Sequence, residues 1–505
     1  MDTAAKKKLG LKEKYRLLTR DLGWTPSYRT HEEIHPYLTY EGIKIHDWDK
    51  WEDPFRLTMD SYWKYQAEKE RKFYAIIDAH AQSNGHLNLT DARYLSAIKL
   101  FLQAISPNEY CAHKGFARAG REFVGVGTQV ACQMQALDEM RHAQTQIHAM
   151  SNYNRYYEGF HAFAQQRDRI WYATVPRSFF DDAMTAGPFE FMIAIGFSFE
   201  YVLTNLLFVP FMSGAAYNGD LATVTFGFSA QSDEARHMTL GLECIKFMLE
   251  QDPDNLPIVQ GWIDKWFWRG IRILGLVGAM MDYMLPKRVM SWREAWNIYG
   301  VENGNALFRD LARYGIKPPK HWEDAEKSID HVPHQFMLAL YQWNFGTAFH
   351  TWIPSDDDFD WLSKKYPDTF DRYYRPRWEH VKKLAAAGTP FKNVGLARLC
   401  QCCQLPCIFT EPDDPTLTCH REVVYRGETY HFCSDGCQHI FENEPEKYIQ
   451  AWMPMPALFR EMQGNIPQWM DWVGMVDGKD NHDYVGSQDE KNFNQWRAMA
   501  ASNSL

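Results

Sequence analysis

The chain has 505 residues, is 45% hydrophobic and 15% aromatic, and carries a formal net charge of −10. That length suits two or three domains with a large core, and the acidic balance excludes a general nucleic-acid binder, which needs a basic face. No apolar run follows Met1-Asp2-Thr3-Ala4-Ala5-Lys6-Lys7-Lys8, so no secretory signal is expected and the expected compartment is the reducing cytoplasm.

Residues 1 to about 90 are polar and aromatic, with runs such as Trp48-Asp49-Lys50-Trp51, and are expected to wrap a core as helices and irregular segments. Four apolar-periodic stretches then predict long helices over roughly 92–120, 122–151, 187–215 and 222–250. The connection 151–186 is expected to hold a helix of its own, and Pro107 predicts a kink or a helix start. Phe189 to Met212 is the most membrane-like stretch, but Glu190, Glu200 and Asn205 lie within it. A spanning helix rarely carries two carboxylates without a purpose, so a helix buried in the core is expected and no membrane span. Pro253, Pro257 and Pro286 punctuate a further apolar helical region. Residues 290–395 read as more helices joined by turns such as Lys317-Pro318-Pro319-Lys320. Near Gly395 the chain changes character, and Cys, His and β-favouring residues dominate up to Tyr448. Residues 451–505 form an extension without a clear motif.

One short motif occurs twice. Asp138-Glu139-Met140-Arg141-His142 returns as Asp233-Glu234-Ala235-Arg236-His237. A Glu and a His three apart share a helix face, so each copy aims one carboxylate and one imidazole at one point. Duplicated Glu-x-x-His, with one more Glu from each of two other helices, is the ligand set of di-iron carboxylate proteins built on four-helix bundles. Glu109 and Glu122 both precede the first copy. In an antiparallel pair, a separation of n residues places the contact about n/2 residues from the turn. At about 1.5 Å rise per residue, 30 residues reach about 20 Å into the bundle, and 17 only about 10 Å. Glu109 lies 30 residues before Glu139 and Glu200 lies 34 before Glu234, so these two match in depth, whereas Glu190 would sit elsewhere. The expected iron ligands are Glu109, Glu139, His142, Glu200, Glu234 and His237. Four carboxylates neutralise two Fe(II) ions, and this donor set suits iron or manganese better than zinc. Asp138 and Asp233 are expected to accept the free N–H of a ligand His, within a helix or across the pair, with Arg141 and Arg236 pairing those carboxylates.

The frame alone does not choose a reaction. Radical-generating ribonucleotide reductase subunits carry a Tyr one turn after the first ligand His, where this chain has Gln146. Thr204 lies one turn after Glu200, beside Asn205, and its hydroxyl is placed to donate or relay a proton. At these residues the chain resembles the large (α) subunit of bacterial multicomponent monooxygenases, which include soluble methane, toluene and phenol hydroxylases. The paired Asp-Glu-x-Arg-His motifs, Glu109, and Glu200 with Thr204 and Asn205 carry the likeness, which covers the whole chain. Length and the cysteine-rich C-terminal part make it most similar to the phenol hydroxylases. The resemblance implies hydroxylation of phenol and methylphenols to catechols with O2, and Thr204 and Asn205 as catalytic residues. It implies electrons from a separate NAD(P)H reductase carrying FAD and a [2Fe-2S] cluster, a small regulatory protein, and β and γ subunits in an α2β2γ2 assembly. It also places Ile105, Ala112, Gln146, Phe179, Phe199, Thr204 and Phe208 around the substrate. A toluene or arene monooxygenase of the same family, and a non-catalytic iron-binding protein, are the competing readings.

Seven of the ten cysteines lie between Cys400 and Cys437. Cys400 and Cys403 form C-x2-C, and Cys433 and Cys437 form C-x3-C. Two thiolate pairs separated by a β-like insert suit one structural zinc, with Cys402, Cys407, Cys419 and His420 as competing ligands. Tyr430-His431-Phe432-Cys433-Ser434, running into Phe441 and Pro445-Glu446-Lys447-Tyr448, resembles the small YHS metal-binding domain. The expected architecture is mainly α. It comprises a ferritin-like di-iron domain over 1–395, with its core bundle at about 92–250, a zinc module over 396–450 and the extension 451–505.

Overall fold

The structure, a computed structural model, describes residues 8–24, 26–34, 40–89, 91–157, 160, 171–343, 353–387, 399–405, 407 and 420–450. The extension 451–505 and Cys419 lie outside the described residues.

The fold is mainly helical. The helices that build the site are α1 (Met59–Gln82), α2 (Ala92–Glu122), α3 (Val126–Tyr153), α4 (Trp171–Thr185), α5 (Pro188–Asn218), α6 (Leu221–Gln251) and α7 (Leu256–Ala279). Helices α2 and α3 form one antiparallel hairpin, and α5 and α6 form a second. The two hairpins pack on each other, with α1 laid across α3 and α6. Two of the long helices start where an Asp side chain satisfies an orphan N–H group. Asp91 accepts from the Arg93 N–H at the start of α2, and Asp220 accepts from the Thr223 N–H at the start of α6. Asp220 also takes the Tyr94 hydroxyl at 2.7 Å and the Tyr153 hydroxyl, so one capping carboxylate ties the ends of three helices together.

Two features depart from regular winding. No helix starts at Pro107: α2 runs through it from Ala92 to Glu122. The missing N–H removes one intrahelical bond to the Gln103 carbonyl, and packing along α3 holds the helix on both sides of that gap. In α5, residues Met192–Tyr201 wind as a π-helix. The i→i+5 bonding of that turn widens it, a feature concentrated at functional sites. Helix α5 is long and apolar enough to cross a membrane, but 78% of its apolar window is buried inside the fold, in keeping with a core helix. Where α5 crosses α6, Gly196 and Gly241 meet backbone to backbone. A Cβ at Gly241 would sit 2.2 Å from the Gly196 carbonyl oxygen.

The C-terminal module is a two-stranded antiparallel hairpin, β1 (Arg421–Tyr425) and β2 (Glu428–Phe432), followed by α8 (Asp435–Asn443). It seats on α7 through charge as well as packing. Arg269, 2% exposed, donates to the Cys402 carbonyl at 2.8 Å and to Asp182 at 3.2 Å. Lys265 reaches Glu190 at 2.9 Å and Glu444 at 2.6 Å, and the Tyr448 hydroxyl donates to Asp182. Burial alone would push the Asp182 carboxyl up, but the surrounding cations Lys265, Arg269 and Lys447 hold it down at about 2.

Candidate metal centre

The two motif helices α3 and α6 face each other at the middle of the bundle. Burial there is nearly complete: Glu139, His142, Glu200, Glu234 and His237 are 5% exposed or less. His142 Nδ1 lies 3.4 Å from Glu139 and 3.8 Å from Glu109. His237 Nδ1 lies 3.3 Å from Glu139, 3.7 Å from Glu234 and 3.9 Å from Glu200. The side chains thus form two triads, Glu109–Glu139–His142 and Glu139–Glu200–His237, in each of which one nitrogen or oxygen per residue lies within 4.8 Å of the others. Glu139 belongs to both, one oxygen facing each imidazole, and Glu234 stands beside His237. All six residues expected at the centre from their spacing are therefore side by side.

The outer face of each imidazole fixes which nitrogen points inward. His142 Nε2 bonds Asp233 at 3.1 Å, and His237 Nε2 bonds Asp138 at 3.2 Å. The pairing is crossed: the Asp of each motif holds the His of the other. With Nε2–H donated outward, Nδ1 is the nitrogen turned inward to the carboxylates and the one available to a metal. Both Nδ1 atoms and Glu234 Oε2 are buried without a hydrogen-bond partner. Inward-facing orphan donor atoms are what a metal site leaves when only protein atoms are counted.

Electrostatics say the same. Burial, reinforced by Glu139, pushes the Glu200 carboxyl well above the usual carboxylate range, and burial also raises Glu139. Burial opposes charge on the imidazoles too. Hydrogen bonds to Asp233 and the ligand glutamates nevertheless raise His142 well above its usual value, and Glu139 raises His237. With protein atoms alone the cluster holds protons to offset its carboxylates, and divalent cations can take their place. The donor set of four carboxylates and two imidazoles fits a pair of iron ions.

A fifth helix completes the surroundings. From α1, Gln66 Nε2 donates to Asp138 and Asp233, both at 3.0 Å, the Tyr62 hydroxyl donates to Asp138 at 2.8 Å, and Lys69 pairs Asp233 at 2.6 Å. Arg141 bonds Asp138 at 2.8 Å and Asp233 at 3.2 Å, and Arg236 also bonds Asp138. The arginines were legible in the motifs. Tyr62, Gln66 and Lys69 were missed, although their i, i+4, i+7 spacing in a helical stretch was the available signal. Also missed was Gln135, which donates to Glu200 at 2.8 Å.

An apolar cavity opens on the centre. It is walled by Phe101, Ile105, Ala112, Ile195, Phe199 and Phe208, with Ile273, Leu276 and Val277 of α7 completing the wall. Glu109, Glu139, Glu200, Glu234, Thr204 and Asn108 supply its polar edge. Among the predicted pocket residues, Ile105, Ala112, Phe199, Thr204 and Phe208 line it. Phe179 stands one layer behind, its ring 5.4 Å from Phe199. Gln146 faces Glu109 instead, donating to it at 2.9 Å, and Asn205 accepts from Gln231 at 2.9 Å.

In the C-terminal module Cys400, Cys403, Cys433 and Cys437 are fully buried, with all four sulfurs mutually close. Cys403 Sγ lies 3.4 Å from Cys433 Sγ, which lies 3.7 Å from Cys437 Sγ, and the Cys403 N–H points at Cys400 Sγ. Cys402, Cys407 and His420 fall outside that cluster. A closed four-sulfur set suits a tetrahedral metal with no open position.

Comparison with known proteins agrees with this geometry. The methane/phenol/alkene hydroxylase family profile matches residues 24–252, and the YHS domain profile matches residues 409–452. The chain is 61% identical over 505 residues to the phenol 2-monooxygenase oxygenase component DmpN of Pseudomonas sp. (strain CF600), covering 99% of this chain and 96% of that one. It is 30% identical to the alkene monooxygenase oxygenase component subunit alpha of Xanthobacter autotrophicus, covering 92% and 95%. The crystal structure of xenon-pressurised phenol hydroxylase from Pseudomonas sp. OX1 superposes with a TM-score of 0.88 at 61% identity, covering 97% of this chain and 100% of that one.

Proposed function

The chain belongs to the methane, phenol and alkene hydroxylase family, and from that premise we propose how its residues divide the work. It is the oxygenase component of a multicomponent phenol 2-monooxygenase with a di-iron centre. We assign Glu109, Glu139, His142, Glu200, Glu234 and His237 as the iron ligands and Cys400, Cys403, Cys433 and Cys437 as the ligands of a structural zinc. A bound di-iron pair supplies two-electron activation of O2, which no side chain can provide.

The rest falls to the protein. Asp233 and Asp138 hold each ligand imidazole in one tautomer, and Lys69, Arg141 and Arg236 balance the charge of those carboxylates. The apolar wall of Ile105, Ala112, Phe199 and Phe208 binds a flat arene and excludes water from the reacting edge. Thr204 lines that cavity, and no hydrogen bond engages its hydroxyl among the described residues. Thr145 and Ser106, by contrast, donate to the carbonyl four residues back. The Thr204 hydroxyl is free to give or pass a proton at the ring.

Phenol and methylphenols are the substrates of this reading and catechols the products. Electrons come from a separate NAD(P)H reductase with FAD and a [2Fe-2S] cluster. Companion β and γ subunits and a small regulatory protein complete the system. The observation that carries the reading is the apolar cavity lying directly against two triads that share Glu139. Its test is reconstitution with the reductase, scoring catechol formed per NAD(P)H oxidised and running phenol against toluene in competition. Phenol should be taken preferentially. Preferential toluene turnover makes the chain an arene monooxygenase, and reductant-independent iron uptake without product makes it an iron-binding protein.

A further inference from the structure

Within the cavity one buried polar side chain has an oxygen with no hydrogen-bond partner among the described residues. Asn108 sits on α2, one residue before Glu109 and on the face that carries Ala104, Ile105 and Ala112. It lines the cavity, is 5% exposed, and its Oδ1 is buried without a hydrogen-bond partner. Asn in a helix interior is a weak helix former. A buried amide oxygen left unpaired is unfavourable, and an aliphatic side chain of the same shape would remove that cost. The other non-ligand residues on this wall are apolar apart from Thr204. A carboxamide set into an otherwise hydrocarbon surface is therefore explained by what enters the cavity rather than by the fold.

We propose that Asn108 is the residue that recognises the substrate's hydroxyl, holding a phenolic O–H by hydrogen bond while the ring packs on Ile105, Phe199 and Phe208. The inference rests on the phenol reading above. The amide offers an acceptor and a donor, so the phenolic oxygen can be met whichever way the amide is turned. Because Asn108 adjoins Glu109, a hydroxyl anchored there places the neighbouring ring carbons next to the metal ligands, which suits attack beside the existing oxygen. An arene without a hydroxyl leaves the amide unpaired on binding, so discrimination comes from the site's own unsatisfied group. A pocket built to bond a hydroxyl rejects the analogue that lacks it far more strongly than an apolar pocket rejects an added hydroxyl.

The test compares phenol with benzene, which differs only by the hydroxyl, in the assembled oxygenase with its reductase. N108L keeps the branched shape and removes the amide; N108A removes it without risk of overpacking. Two readouts are taken on protein of measured iron content: the ratio of kcat/KM for phenol over benzene, and the ratio of their dissociation constants by calorimetry. Both ratios should fall by about tenfold or more in each variant. A fold defect or iron loss lowers both substrates together and leaves the ratio intact. A ratio within about twofold of the parent enzyme in N108A overturns the assignment, even if N108L is not recovered. A parent enzyme that shows no preference for phenol instead overturns the phenol reading and this inference with it.

Discussion

Asp233, from the second motif copy, accepts a hydrogen bond from His142 of the first at 3.1 Å, and Asp138 returns the same contact to His237 at 3.2 Å. Each half of the duplicated motif is thus oriented by the other, and neither helix presents a finished ligand set alone. Replacing Asp233 with Asn leaves the shape but removes the charge that fixes the His142 tautomer. Metal affinity should fall by about 10- to 100-fold, read as faster loss of iron to a chelator. Iron retention equal to the parent protein would remove Asp233 from this role.

Glu139 faces both imidazoles, so its loss should be felt on both sides of the centre. E139A should drop iron from about two per chain to nearly none, whereas E109A, which touches the His142 side only, should retain part. Iron analysis of the two purified variants separates the cases, and equal partial retention in both would count against Glu139 as the shared ligand.

The buried cluster offers four sulfurs close together, so a metal held there would be part of the fold. C433S should lose the zinc and lower Tm. C402S, whose sulfur lies outside the four, should keep zinc at about the parent level. Zinc analysis with thermal melts decides; a zinc-replete C433S protein would require another ligand set.

Asp282, at the C-terminal side of α7, is fully enclosed beside Tyr366 and accepts from the Trp292 N–H at 3.0 Å. Burial pushes its carboxyl up to about 7. In the unfolded chain the same group ionises at about 4. Between those values the native state holds a proton that the unfolded state has released. The Asp282 contribution is therefore largest below about pH 4, lost as pH rises to about 7, and flat above. D282N keeps an acceptor for Trp292 and cannot ionise. Its Tm relative to the parent protein should rise between about pH 4 and about pH 7; a constant difference would show that Asp282 does not titrate in this window.

Thr204→Val preserves size and removes the hydroxyl from the cavity edge. Catechol formed per NAD(P)H oxidised should fall by a larger factor than the rate of NAD(P)H oxidation itself, because proton delivery at the ring is lost while electron supply is not. An unchanged ratio would leave Thr204 as a packing residue.

The meeting of these carboxylates and imidazoles was legible because helical period and antiparallel depth are both arithmetic. A three-residue spacing puts Glu and His on one face, and matched separations of 30 and 34 residues select Glu109 and Glu200 over Glu122 and Glu190. The same logic placed Asp138 and Asp233 but could not choose between bonding within a helix and across the pair, since that depends on how the hairpins meet. The π-wound turn at Met192–Tyr201 was not legible: with almost every residue there apolar, no alternation of polar and apolar positions marks the phase. Helix α1 escaped because its polar residues, Tyr62, Gln66 and Lys69, read as surface until the two aspartates they contact are known to be buried beneath them. Gln146 and Phe179 show the limit of carrying positions over by likeness, as each lies next to the cavity's lining rather than in it.

The backbone contact between Gly196 and Gly241 separates two kinds of tolerance in this protein. Glu200 lies one turn from Gly196, and His237 one turn from Gly241, so the spacing between these two stretches of the cluster is gauged where neither helix has a side chain. Ile195, Phe199 and Phe208 can be exchanged for other apolar residues, changing what the cavity admits without touching that gauge. A single methyl group at Gly241 would instead enter the opposing backbone and drive the two halves of the centre apart. The lining of the cavity and the spacing of the Glu/His cluster are thus set by different atoms of α5, so a change in one need not disturb the other.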